Sequence, residues 1–379
     1  MNKYRYDVLC IGSGVSGIMA AISAASEQKN VCIVSKEPLS WGNTRISGGI
    51  VASNDPALKE DMLRSGQQLN VTELIDALLS KSDDIHDLVE SWGHVYVRDD
   101  SGKKQRLKPG GHKNARTYIS IYQGISLANA LRSKLLESDI DILEEIAACH
   151  LIRKNGRVQG IVGYDWTTGE WSVIYAKQTI LATGGAGMLY YPHTDNMRSA
   201  TGDGYALALK AGAALIDMEQ VQFIPFGTVS TEGKTGLEIG DTSAAGPYGI
   251  LKNDAGEPFL TDVSFKTREE VSRKIALEMQ RTGGDVWLDP TDHLKDENGK
   301  KAWERVERVG SLDAVKFVYG SSAYRWRKAF KVVPTQHYMM GGVCIDHKGA
   351  TSVNGLYAVG EVAGGLHRSE EHTSELQSH

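Results

Sequence analysis

Residues 6–36 read YDVLCIGSGVSGIMAAISAASEQKNVCIVSK, and this stretch decides the fold. Tyr6–Ile11 is an apolar run of strand length, Gly17–Ser26 is Ala-rich and helical, and Val31–Ser35 is again apolar and β-branched. A strand, a helix and a strand in succession form a βαβ unit, which calls for a parallel sheet with helices on its faces. At the first joint stands Gly12-Ser13-Gly14-Val15-Ser16-Gly17, a G-x-G-x-x-G. Its first glycine permits the tight turn, its second lets a pyrophosphate approach the backbone, and its third lets helix and strand pack closely. The helix N-terminus supplies unpaired N–H groups and a positive dipole for phosphate. Alone the pattern is weak and could be a plain glycine-rich turn. After a strand and opening a helix, it predicts dinucleotide binding through Gly12, Ser13, Gly14, Ser16 and Gly17. The acidic ribose ligand expected at the end of the second strand is missing: Val34 is followed by Ser35 and Lys36, and Glu37 lies beyond the strand beside Pro38.

Outward from this unit, apolar residues recur at helical spacing over Glu73–Trp92 and again over Ser126–Leu136. Between Asp141 and Ile180 short alternating strands are punctuated by Asn155-Gly156 and Thr168-Gly169, which read as hairpin turns. Val173–Ala182 is a strand feeding into Thr183-Gly-Gly-Ala-Gly187. The stretch from Gln222 to about Arg325 is less regular, with turns predicted at Asn253–Gly256 and Asn298–Gly299 and helices near Arg268–Arg281 and Lys301–Val309. Leu356–Val359 then returns as a strand to the first unit. The predicted class is α/β: a Rossmann-like parallel-sheet domain over 1–219 and 331–367, interrupted by an α+β capping domain over 220–330.

Composition narrows the function. A chain of 379 residues has core enough for two domains and a large cofactor. A net charge of -5 gives no basic footprint for nucleic acid or an anionic membrane. The four cysteines, Cys10, Cys32, Cys149 and Cys344, show no C-x-x-C pairing, so neither a metal site nor an iron–sulfur cluster within the chain is predicted, and Cys10 and Cys32 read as buried thiols. No apolar stretch reaches the roughly 20 residues of a membrane helix, and cytoplasmic residence is the expectation.

Other segments carry a resemblance. Ser35-Lys36 closing the second strand, then Gly42-Asn-Thr-Arg-Ile-Ser-Gly-Gly-Ile50, Ile180-Leu-Ala-Thr-Gly-Gly185, Thr201-Gly-Asp-Gly204, Arg268–Arg273, Val333-Pro-Thr-Gln-His-Tyr-Met-Met-Gly-Gly342 and Gly355-Leu-Tyr-Ala-Val-Gly-Glu361 together resemble the flavoproteins of succinate dehydrogenase and fumarate reductase and the L-aspartate oxidases. The resemblance runs through most of 6–367. It implies FAD as cofactor, with Ser35, Lys36, Asn43, Thr44, Ser47, Gly48, Gly49, Thr183 and Gly184 in its binding site. Asp203 and Glu361 would stand near its sugar and ribityl hydroxyls, since a carboxylate can accept two such bonds. Some relatives attach FAD through a histidine before the Gly-Gly pair. Here no histidine occurs from 38 to 50 and Asn43 stands in that vicinity, so FAD is expected to be non-covalent.

The resemblance further implies hydride transfer between flavin and a succinate- or fumarate-like carboxylic acid, with Arg273 as catalytic arginine and His337 holding a substrate carboxylate. From residues alone, Arg273 reads instead as a surface arginine paired with Glu269 or Glu270, and His337 as a satisfied core histidine; only the motif favours the catalytic roles. The stretch Gln220–Gly227 departs from the family pattern, placing Ile224 and Phe226 where a histidine and a threonine hold the second carboxylate. That departure leaves room for sibling chemistry: L-aspartate oxidation, ketosteroid dehydrogenation or adenylylsulfate reduction. A flavin-binding electron carrier without substrate chemistry is the third reading. The electron partner stays open, an iron–sulfur protein being one choice beside a thiol, quinone or oxygen. Finally, Arg368–His379, RSEEHTSELQSH, breaks off a motif beginning at His367 and can be encoded by a common sequencing-adapter sequence. It is set aside as a non-native tail, which moves the charge from -5 to -3 by removing Arg368, Glu370, Glu371 and Glu375. The family's carboxylate-binding arginine, expected beyond His367, would then be absent and the chain as it stands inactive.

Overall fold

A computed structural model describes residues 2–47, 55, 57–107, 114–308, 310 and 312–367, apart from the side chains of residues 82, 83 and 107. The opening βαβ unit forms as its sequence requires. Strand Asn2–Ile11 runs parallel to Val31–Val34 on one side and to Trp171–Leu181 on the other, with helix Val15–Ser26 crossing between. Asp141–Leu143 extends the sheet beyond Val31–Val34, and Leu356–Ala358 joins it beside Trp171–Leu181, both parallel. The other part of Trp171–Leu181 continues into an antiparallel meander with Arg157–Asp165 and Ile146–Lys154. The hairpin there turns on Asn155 and Gly156, both at positive φ, the twist a two-residue hairpin needs. Residues 9–11 and 31–34 of the βαβ unit are buried, and Cys10 and Cys32 are wholly enclosed, which pushes both thiols up to about 12.

A second, six-stranded antiparallel sheet has the order 238–240, 221–227, 330–339, 286–289, 250–253, 258–260. Its own core gathers Phe226, Leu251, Val271, Ile275, Leu288 and Trp326. Helices Arg268–Thr282, Glu297–Arg308 and Asp313–Tyr324 accompany it. The boundary expected at residue 331 falls inside this pairing: Phe330–Met339 bonds to Val221–Gly227 and Val286–Asp289, so only the chain after Met339 leads back to the first sheet.

Two local expectations are corrected. Glu73–Trp92 is not one helix but two, Thr72–Leu79 and Ser82–Ser91. Ser80 ends the first, its hydroxyl donating to the Ala77 carbonyl at 2.7 Å. Asn298–Gly299 is not a turn; both residues lie in the first turn of Glu297–Arg308. Gly299 is there for approach: a Cβ would stand 2.2 Å from the His293 carbonyl oxygen. Among the described residues no helix is long and apolar enough to cross a membrane.

Candidate active site

A cavity of about 1410 Å³ opens at the carboxyl ends of the first sheet's parallel strands and runs to the second sheet. Its floor is the glycine turn. Gly12 has φ +114°, and a Cβ on it would lie 2.1 Å from the Ala182 carbonyl oxygen; one on Gly17 would lie 2.0 Å from the Gly12 oxygen. Gly17 therefore locks helix to strand and does not itself line the cavity, whereas Gly12, Ser13, Gly14 and Ser16 do. Gly14 caps helix Val15–Ser26 without any side-chain bond, and the Val15 N–H donates to Thr44 Oγ1 at 3.0 Å. The Ser13 and Ser35 hydroxyls bond each other at 2.8 Å across the two strand ends.

Lys36 stands at the end of the second strand, where the ribose acid is missing. Its ammonium donates to the Ser199 carbonyl at 2.8 Å, to Thr201 Oγ1 at 2.7 Å and to Asp203 Oδ2 at 2.5 Å. These bonds hold the Asp203 carboxylate beside the end of that strand. Asn43, Thr44 and Ser47 line the cavity from a short helix pinned in place: Asn43 donates to Asn196 Oδ1 at 2.7 Å and accepts from the Met197 N–H at 2.9 Å. Gly48 and Gly49 lie outside the described residues. Thr183 and Gly184 line the opposite wall, and Glu361 closes it. Its carboxyl accepts the Met339 N–H at 3.0 Å, and burial pushes it up to about 7 against the pull of that bond and of His337. A Cβ on Gly185 would meet that carboxyl at 2.2 Å, so a larger residue there would push the Glu361 side chain aside.

The residues fit a flavin dinucleotide. A glycine cradle opens a helix whose N-cap Gly14 makes no side-chain bond, which suits phosphate, and the Asp203 and Glu361 carboxylates line the same cavity, which suits hydroxyl donors. Two cavity-lining hydroxyls, Thr183 Oγ1 and Tyr338 Oη, are buried without a partner.

At the second sheet the cavity is lined by a charged group that the sequence reading caught only in part. His337, on Phe330–Met339, bonds through Nδ1 to Asp195 Oδ2 at 2.6 Å. Burial disfavours the charged ring, but the Asp195 carboxylate and Glu238 outweigh it and hold His337 up to about 9. Asp195, Glu238 and His337 bring their side-chain oxygens and nitrogen within 4.8 Å of one another, a spacing that could hold a metal ion; here His337 bonds Asp195 directly. Desolvation raises the Glu238 carboxyl although the residue is exposed to the open cavity, with His337 and Arg268 working against that rise.

Arg273 is a correction. It lies 58% exposed on the outer face of helix Arg268–Thr282, paired with Glu269 at 2.7 Å, and does not line the cavity. Arg268 does: it is 6% exposed and faces Asp241 at 3.4 Å. The helix itself explains the difference. Arg268, Val271, Ser272 and Ile275 are buried along one stripe, while five residues at 3.6 per turn place 273 about 140° away from 268. The apolar spacing of Val271 and Ile275 was the signal that could have chosen Arg268. Arg273→Ala is expected to change stability by only ~0.3–0.5 kcal/mol, the worth of an exposed helical pair, and to leave turnover unaltered, checked by urea denaturation and by assay.

The bond between Asp195 and His337 makes a pH prediction. A folded-state value above the ordinary 6.5 means that this pair stabilises fully below about 6.5 and that the contribution is lost as pH rises through about 9. Asp195→Asn should remove this loss from the pH dependence of the urea midpoint between pH 6 and 10, and should lower the His337 titration followed by NMR.

Fold and cavity together define a dinucleotide-binding α/β protein with a charged second site at the far end of its cleft. A family model described as FAD binding domain matches residues 7–375. One subunit of the fumarate reductase (CoM/CoB) of Methanothermobacter marburgensis is 35% identical over 96% of this chain and 68% of its own. L-aspartate oxidase of Halobacterium salinarum is 32% identical over 94% of this chain and 69% of its own. A chain of the Mycobacterium smegmatis Sdh1 complex in the apo form superposes with a TM-score of 0.84 at 28% identity, over 100% of this chain and 66% of that one. The chain thus spans about two thirds of the length of these relatives. It belongs to the FAD-binding family that includes fumarate reductase flavoproteins and L-aspartate oxidases, and is an FAD-dependent oxidoreductase.

Proposed function

We infer that the protein moves a hydride between FAD and a carboxylic acid with an activated carbon–carbon double bond, in the manner of fumarate and succinate. One observation carries this: Arg268 and His337 line the same cavity as the glycine cradle. When bound, FAD supplies the hydride chemistry. The chain's own residues supply the rest. His337, protonated and held at Nδ1 by Asp195, offers its Nε2–H to a substrate carboxylate. Arg268 holds a proton on its guanidinium for the carbon next to the site of hydride addition. A guanidinium is a weak acid, so it serves when the developing carbanion is a strong base and the proton is replaced; Asp241 at 3.4 Å and Glu238, which interacts electrostatically with Arg268, are groups through which it can be replaced. Arg268 is 6% exposed and Asp241 14%, which limits the water that would otherwise compete for that proton.

Sibling chemistry on the same scaffold, L-aspartate oxidation in particular, is the second reading, favoured by Ile224 at the cavity wall. The bonded pair of His337 with Asp195 and the buried Arg268 argue against a bare electron carrier, which has no use for either. An electron-supplying partner protein, of iron–sulfur type in our reading, is supported by relatives whose names describe part of a larger enzyme and a complex. We also read FAD as held without a covalent bond, since Asn43 is committed to Asn196 and Met197.

The test is anaerobic: the protein with the region beyond His367 restored and FAD loaded, reduced methyl viologen and a panel of 2-enoic acids. Dye oxidation that depends on the acid is the expected result. Flavin-loaded protein that oxidises no dye with any such acid would remove the hydride-transfer reading.

A further inference from the structure

His337 is held at both ends by one side chain from a distant part of the sequence. The Asn196 amide nitrogen donates to the His337 main-chain carbonyl at 2.8 Å and to Asp195 Oδ1 at 2.9 Å, while Asp195 Oδ2 takes the His337 ring at 2.6 Å. The Asn196 oxygen accepts the Asn43 amide at 2.7 Å, and the Asn43 oxygen accepts the Met197 N–H at 2.9 Å. Chemistry allows one orientation of the two amides. A main-chain N–H can only donate, so it meets the Asn43 oxygen and turns the Asn43 nitrogen toward the Asn196 oxygen. The Asn196 nitrogen is then left facing two acceptors, and both its hydrogens are used.

The segment that carries Asn196 is registered on the strand of His337. Thr194 forms a parallel bridge with Gln336 and gives its hydroxyl to the Gln336 side-chain oxygen at 2.9 Å; the Gln336 N–H donates to the His193 carbonyl at 2.8 Å. On the other side, Asn43 opens the short helix Asn43–Ile46, whose Thr44 accepts the Val15 N–H at 3.0 Å just after the glycine cradle. A continuous run of bonded residues thus leads from the cradle through Thr44, Asn43 and Asn196 to Asp195 and His337. We propose that Asn196 is a positioning residue that sets the Asp195–His337 pair against the flavin-side helix, so that both ends of the cleft keep one relative geometry. A group that orients a substrate has to be held within about 0.5 Å of its productive place, and Asn196 fixes both the ring and the main chain of His337. What His337 would hold rests on the hydride-transfer reading; the bonds that place it do not.

The experiment uses FAD-loaded protein with the region beyond His367 restored. Succinate binding is measured by calorimetry, and the His337 Nδ1 proton is followed by NMR of histidine-labelled protein, assigned by its loss in His337→Gln. Asn196→Ala should weaken succinate about tenfold or more, as expected for a lost bond to a charged group, and Asn43→Ala about two- to tenfold. Since both act through one bond, the double variant should bind no more weakly than Asn196→Ala alone. Asn196→Asp keeps the shape and the bond from Asn43 but has no donating nitrogen, so it should not recover binding. Asn43→Ala should also move the His337 proton, although Asn43 bonds to neither His337 nor Asp195. A His337 proton unmoved by Asn43→Ala, losses that add in the double variant, or full rescue by Asn196→Asp overturns the proposal and leaves hydride transfer standing. Parent protein that binds no succinate counts instead against the carboxylate role of His337, and the NMR measurement still decides the role of Asn196.

Discussion

Replacing Arg268 with alanine is expected to lower turnover about 100- to 10,000-fold, the usual contribution of a positioned proton donor, while FAD stays bound. The residue lies in the second-sheet wall, apart from the glycine cradle, so the visible flavin spectrum should be unchanged and only the alkene-reducing step should fail. Arg268→Lys tests the role more finely. Lysine keeps the charge but loses the planar, multiply donating fork, so it should recover little activity even though the charge beside Asp241 is restored. A fall that lysine rescues fully would make Arg268 a simple counter-charge for Asp241, and Arg273→Ala serves as the matched control on the same helix.

Gly12→Ala has the other large expected effect, on the fold and its cofactor. The residue is held at φ +114° and its added methyl would stand 2.1 Å from the Ala182 oxygen and 2.7 Å from the Ala182 carbon, both main-chain atoms that cannot step aside. A strained φ costs ~1–3 kcal/mol and overpacking a further ~1–3 kcal/mol, out of a typical total of roughly 5–15 kcal/mol. The variant is expected to come out colourless and either insoluble or with its urea midpoint far below the parent's. Gly256→Ala separates strain from collision: φ there is +79° but no atom lies within 4 Å of the added carbon. It should keep its flavin and lose only the strain contribution. Full flavin content and a parental midpoint in Gly12→Ala would contradict the cradle geometry.

What could be read directly from the chain was whatever local chemistry determines. The glycine turn, the strands on either side of it and the Asn155-Gly156 hairpin follow from backbone constraints within a few residues. Gly299 was misread because its reason lies in another segment, the His293 backbone against which it packs. Arg273 was preferred to Arg268 by position within a motif, whereas burial follows the helical stripe of Val271 and Ile275. Asp195, Glu238 and Asp241 were missed altogether. Single acidic residues in loops and strand ends carry no periodic signal, and they meet His337 and Arg268 only through strands paired across about a hundred residues of chain.

The first sheet is a late assembly. Its central strand begins at Asn2, its neighbour at Trp171, and the strand that completes the parallel row at Leu356. A ribosome must therefore release the chain through Ala358 before the row can close, and such distant pairings fold slowly. Until then the nucleotide cradle has been synthesised for hundreds of residues with no opposite wall. Flavin capture should accordingly wait for that strand, and cells short of riboflavin should accumulate this protein as a protease-sensitive precursor.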